Sequence, residues 1–225
     1  MGNLFGAVGK ESIDSDLEAM AVWAESYSYA ARQLEEVFCD CVGVWLFGQS
    51  YLHSFRYLLA PDLSERPSDN YPPNRWRSEF AIEAARSYGD SADSTFANAF
   101  RPFEKSREKK VEIADIVTKT LVPKIIAEAN DFFDGKKLTR PSATETERCK
   151  QSLYSLCPFS DYESVGSLLN AAWELRLDLE NWSIPGVPDD VSDEKKIDIL
   201  NDLVFKSFEV VEWNGLRPRV AGNKI

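Results

Sequence analysis

Two long stretches of this chain return an apolar residue at every third or fourth position, and almost nothing in it alternates in steps of two. Leu17, Met20, Ala21, Ala24, Ala31, Leu34, Phe38, Cys41 and Trp45 keep that step, and Val111, Ala114, Val117, Leu121, Ile125, Ala129 and Phe132 repeat it. Side chains so spaced share one face of an α-helix, whereas a half-buried strand needs period two. No segment shows sustained alternation between turn residues, so the expected class is all-α: roughly eight helices in a compact bundle-like domain.

Local signals place the boundaries. Ser15 with Glu18 forms a capping box for the first helix, Ser26 to Ser28 marks a weak point in it, and Gly48 stops it. Ser50 opens a short helix through Leu52, Phe55 and Leu59, ended by Pro61. Pro61, Pro67, Pro72 and Pro73 mark a loop, after which Asn74 caps a helix carrying Trp76, Phe80, Ala84 and Tyr88. Phe96, Phe100 and Phe103 point to another amphipathic turn. A helix over about 106–134 should kink at Pro123 and close at Gly135. Ser142 with Glu145, Ser160 with Glu163, and Ser192 ahead of Lys195 open three more. The polar stretch near 135–142 divides the chain into an N-terminal helical region, 1–135, and a C-terminal helical region, 142–225, packed on it. The basic tail from Gly215 shows no pattern and is expected to be mobile.

A net charge of -11 and a pI near 4.7 argue against nucleic-acid binding, which needs a basic face for phosphates. The apolar run Val42 to Phe47 is far short of the roughly 20 residues that span a bilayer, and the first residues do not read as a cleavable signal. Four cysteines without an export signal suit reduced thiols and a cytoplasmic location. Cys39 and Cys41 project about 200° apart on a helix, so they cannot chelate one ion and read as small buried side chains.

Chemistry is tightly limited. The chain has one histidine, His53, and contains no HExxH, CxxC, phosphate-loop or dinucleotide-binding motif. A general-base role for His53 would need Ser50 or Ser54 as nucleophile, and neither lies in a strained elbow turn, so a hydrogen-bonded structural histidine is expected. Trp173, Trp182 and Trp213, with Phe159, Phe205 and Phe208, are spaced as core or interface anchors. The apolar connection Asn181 to Pro188 should pack on the core, and Asp189 to Glu194 should favour a helix start.

The remaining candidate is Glu36-Val37-Phe38-Cys39-Asp40, whose two carboxylates stack on one helical face. With the following Cys41 to Leu52, it resembles the second metal-binding helix of gluzincin-type zinc metallopeptidases. Tyr71-Pro72-Pro73-Asn74-Arg75-Trp76-Arg77 is similar to that family's HPP…R segment, with tyrosine in the histidine's place. The resemblance covers about residues 30–88. It implies zinc as cofactor, Glu36 as a metal ligand and Asp40 as its support. The family takes its other ligands and its catalytic base from an upstream HExxH helix, and no histidine precedes Glu36. Two readings follow. One is a non-catalytic helical interaction or regulatory protein, a degenerate metallopeptidase-like scaffold without a cofactor that acts in a complex with a protein partner. The other is a zinc metallopeptidase component whose HExxH helix comes from a partner chain or a missing upstream segment, with Glu36 and Asp40 as its metal residues. If the carboxylates are relics, they should be either solvent-facing or tied to arginines such as Arg75 and Arg77, and partial burial with at least one arginine contact is the expectation.

Overall fold

The described residues form seven α-helices and one 3-10 turn, with no strand among them. A computed structural model describes residues 17–60, 71–90, 95–102, 108–161, 163–183 and 191–221. The helices are α1 (Leu17–Phe47), α2 (Gln49–Leu59), α3 (Asn74–Ser87), α4 (Lys109–Lys136), α5 (Ala143–Tyr154), α6 (Val165–Leu177) and α7 (Asp193–Ala221), with the 3-10 turn at Phe96–Ala99. The expectations placed on Ser15, Pro61, Pro67, Phe103 and the 184–190 stretch lie outside the described residues. Among those described, no helix is long and apolar enough to cross a membrane.

Several boundaries differ from the sequence reading, each for a local reason. α1 runs unbroken past Ser26, because that hydroxyl is buried and donates to Val22 O at 2.6 Å, inside its own helix. Gly48 does stop α1, in a left-handed conformation (φ 56°), and also serves as N-cap of α2. Pro73, not Asn74, is the N-cap of α3. α4 passes through the exposed Pro123 and beyond Gly135, and ends where Lys137 takes the left-handed position (φ 53°) usually given to glycine. Ser142 caps α5 as expected, accepting from Glu145 N at 3.1 Å, and Ser192 accepts from Lys195 N at 3.3 Å. The box at Ser160 and Glu163 does not form: Ser164 is the N-cap of α6, and the Glu163 amide donates instead to the Glu145 carboxylate. The backbone after Gly215 continues α7 as far as Ala221 rather than leaving it as an unpatterned tail.

The largest departure concerns which faces are buried. α1 and α4 lie side by side and run the same way: Glu25 meets Lys110, Gln33 meets Asp115 and Thr118, and Trp45 meets Phe133. On α1 the buried stripe is Ala30, Gln33, Val37, Asp40, Cys41, Val44 and Trp45, so Cys41 and Trp45 are buried as expected while Leu34 and Phe38 are only partly buried. On α4 it is Val111, Ala114, Asp115, Thr118, Val122, Ile126, Ala129 and Phe133, whereas Leu121 and Ile125 are half-buried and Phe132 is exposed. Both faces are rotated from the most apolar stripe because polar groups inside satisfy one another. Gln33 donates to Asp115 Oδ1 at 2.9 Å and accepts from the Thr118 hydroxyl at 2.8 Å.

Two clusters of buried apolar side chains lie on either side of residues 134–142. The larger joins α1, α2, α3, the 3-10 turn and α4 around Trp45, Leu52, Phe80, Phe100 and Phe133. The smaller joins α5, α6 and α7 around Leu153, Leu168, Leu175, Trp182 and Leu200. The connection between them is fastened down. Trp45 Nε1 donates to Leu138 O at 3.3 Å, Arg140 pairs with Asp90 at 3.1 Å and lies over the Trp45 ring, and Ser142 N donates to Ser167 Oγ at 3.1 Å. α6 also sits on the α1–α2 corner, where Asn170 Oδ1 accepts from Ser50 N at 2.6 Å.

This corner depends on Gly166. A Cβ there would lie 2.3 Å from Leu46 O and 2.6 Å from Pro141 Cγ, far inside contact distance. Gly166→Ala is therefore expected to cost about 1–3 kcal/mol, the range for overpacking, as a lower urea midpoint with the helical circular dichroism retained. A second prediction comes from Asp115. Burial raises its carboxyl above the ordinary 3.8, the Gln33 hydrogen bond opposes the shift, and Glu112 adds to it. A folded-state value above the unfolded one means that this group favours the fold when protonated, and that its contribution is lost as pH rises from 3.8 through the folded value. Asp115→Asn should accordingly unfold at higher urea than the wild type at pH 7, with the gap closing toward pH 4.

Candidate functional site

Glu36 and Asp40 share one face of α1, as their spacing requires, but they meet different surroundings. Asp40 is 1% exposed, whereas the Glu36 side chain is 32% exposed. Arg77, from the first turn of α3, grips Asp40 with two bonds: Nε donates to Oδ2 at 2.8 Å and Nη2 to Oδ1 at 2.7 Å. Tyr51, from α2, donates its hydroxyl to Oδ1 at 2.6 Å. Glu36 reaches the same guanidinium only at 3.5 Å. The guanidinium carbon of Arg77 also lies over Phe55, 5.2 Å from its centroid, and over Tyr71 at 5.9 Å. Arg75 turns instead to Glu79 within α3. The Tyr71–Arg77 segment therefore contributes Arg77 to Asp40 and Tyr71 to the arginine.

Local sequence makes this cluster possible. Gly43 lies one turn beyond Asp40, and a Cβ there would fall 2.2 Å from the Tyr51 ring, so glycine lets that ring cross α1. Burial opposes the charge on Arg77, but the hydrogen bonds and negative charge of Asp40 outweigh it and hold its pKa above the ordinary range. Burial pushes the Tyr51 hydroxyl upward, and the Asp40 charge adds to this, so the phenol stays protonated as a donor. Both Asp40 oxygens are engaged, and an ion placed there would have to displace a guanidinium that is itself largely buried. Among the described residues, no three His, Cys, Asp or Glu side chains gather as a metal ion would require.

His53 is stacked on a ring, and among the described residues no side-chain hydrogen bond joins the stack. Its ring lies 5.4 Å from that of Trp173 at 26°, and burial, with the nearby Arg56 charge, lowers its pKa below 6.5. Ser50, the candidate nucleophile, is buried and donates to Phe47 O. Of the anchors, Trp182 is buried in the C-terminal core, while Phe205 and Trp213 are about two-thirds exposed on α7. Cys41 is buried as expected, whereas Cys39 is exposed, contrary to expectation.

A feature that the sequence reading did not single out lies between α1 and α4. The half-buried stripes of these helices, Leu34 and Phe38 on one and Leu121 and Ile125 on the other, form the walls of an open groove of about 750 Å³. Tyr27, Ala30 and Ala31 line it further along α1, and Cys39 lies at its edge. Its polar rim is Glu35, Lys124 and Glu128, the last two paired at 3.6 Å. The signal available in the sequence was width: α1 has apolar residues on two adjacent stripes, more than one packed face uses. Comparison with protein-family models, with curated proteins and with solved structures finds no match for this chain.

The Asp40 cluster yields a stability prediction. Arg77→Met leaves a buried carboxylate without its cation and should cost about 3–5 kcal/mol, whereas Arg77→Met combined with Asp40→Leu should recover much of that loss. Glu36→Gln, on the partly solvated carboxylate, should change the urea midpoint by the equivalent of about 0–1 kcal/mol.

Proposed function

We propose that this chain is a non-catalytic interaction protein, and that it receives the apolar face of a partner helix in the groove between α1 and α4. The observation that carries the reading is the groove itself. It is apolar-walled, open along two parallel helices and lined at helical spacing by Ala31, Leu34, Glu35 and Phe38. An amphipathic helix laid beside α1 and α4 would complete a three-helix layer and bury residues that the chain leaves half-solvated. Every Leu-sized side chain taken out of water there contributes about 1.5–3 kcal/mol when burial is complete.

The resemblance to the ExxxD helix of gluzincins fits this proposal as scaffold rather than chemistry. The acidic pair supports a fold-holding role, because Asp40 is bound to Arg77 and Tyr51. A zinc-dependent role would have to break that pair, exposing the complex to the cost of an unpaired buried charge.

Cys39 offers a direct test, since its thiol is exposed at the groove edge. In a Cys157→Ser background, an environment-sensitive fluorophore on Cys39 should shift to the blue, saturably, on titration with a model amphipathic helix of leucine and lysine. Leu34→Glu should weaken that response about tenfold or more although it adds negative charge, which would strengthen mere attraction to a basic peptide. A response that fails to saturate, or one unchanged in Leu34→Glu, rules the groove out as a docking site.

A further inference from the structure

A second surface, formed by α2 and α6, has a different chemistry. Each helix presents one triad at i, i+3 and i+4: His53, Arg56 and Tyr57 on α2, and Trp173, Arg176 and Leu177 on α6. The two triads meet. His53 stacks on Trp173, Tyr57 meets Trp173 edge-on at 6.2 Å, and the Arg176 guanidinium lies 5.1 Å from the Tyr57 centroid and 5.3 Å from that of Trp173. Tyr57 is 66% exposed and Leu177 63%, and Arg56 is exposed beside them.

The charge is the informative part. The chain carries -11 overall, with 37 acidic against 26 basic side chains, yet neither Arg56 nor Arg176 pairs with a carboxylate among the described residues. The acids that flank Arg176 in sequence are engaged elsewhere, Glu174 on α6 by Lys150 at 2.8 Å and the C-cap residue Asp178 by the Asn181 side chain at 2.6 Å. Arg176 meets the rings through its guanidinium carbon, and a contact of that kind takes up none of its N–H donors, which are left for an acceptor. Aromatic side chains and arginines on a partly exposed, apolar platform are the composition of binding hot spots.

We propose that this surface docks an acidic segment of a partner protein. The segment's carboxylates meet Arg56 and Arg176, and an apolar side chain between them lies on Tyr57 and Leu177. Two guanidinium groups match a short acidic peptide, whereas a nucleic acid needs a longer basic track than this chain provides. The surface is separate from the α1–α4 groove, so it does not depend on the helix-docking proposal.

A random peptide display library selected against the full chain tests the proposal. The enriched peptides should carry Asp or Glu beside an aromatic residue or leucine, and their binding should weaken as salt rises. Arg56→Glu and Arg176→Glu should each reduce affinity about tenfold or more, and Tyr57→Ala about as much. Leu34→Glu, in the other groove, should leave these peptides bound. Arg56 is exposed, so Arg56→Glu remains informative even if Arg176→Glu disturbs the ring stack. Enriched peptides without acidic residues, binding retained in Arg56→Glu, or a single-stranded oligonucleotide that binds through these arginines in preference to the peptides would each overturn the proposal.

Discussion

A carboxylate sealed inside a helix bundle must be given a cation and donors, and Asp40 receives its full set from two other helices. That requirement organises the N-terminal half. Arg77 can reach Asp40 only if the first turn of α3 lies across α1, and Tyr51 only if α2 folds back sharply after Gly48. Gly43 removes the side chain that would block the tyrosine. Once these contacts are made, Phe55, Phe80, Trp45 and Tyr88 are drawn into one core around them. The directional bonds select the arrangement, and the burial of apolar area supplies most of the stabilisation.

The same logic explains the groove. α1 and α4 turn Gln33, Asp115 and Thr118 toward each other because a satisfied polar triad can be buried, and the rotation carries Leu34, Phe38, Leu121 and Ile125 off the core. A chain selected only for solubility would be expected to place its polar stripe outward. Retaining half-solvated apolar residues at helical spacing on two neighbouring helices is the arrangement a helical partner would use.

The seam between the two apolar clusters adds the second surface. α6 comes close enough to the α1–α2 corner for Asn170 to take the Ser50 amide, and the absence of a Cβ at Gly166 permits it. That approach brings Trp173 over His53 and sets Arg176 against Tyr57. The α6 triad brings Arg176 over Trp173 by itself, and only the approach of α2 adds Tyr57 and His53 to that pair. The only histidine of the chain is thus part of a packing surface.

Sequence alone determined the all-helical class, the stop at Gly48, the caps at Ser142 and Ser192, and the shared face of Glu36 and Asp40, because each follows from local periodicity or backbone preference. It also pointed to an arginine beyond the acidic helix, and Arg77 is the one that arrives. Tertiary structure alone decided which stripe of α1 and α4 is buried. Counting apolar residues favours Leu34 and Phe38, whereas the molecule buries Gln33 and Asp40, whose partners lie 82 and 37 residues away along the chain. It likewise decided that Glu163 gives its amide to Glu145 instead of forming a box with Ser160, and that His53 stacks on Trp173. Polar burial is favourable only when a specific remote partner is present, and the identity of that partner is a property of the fold, not of any window of sequence.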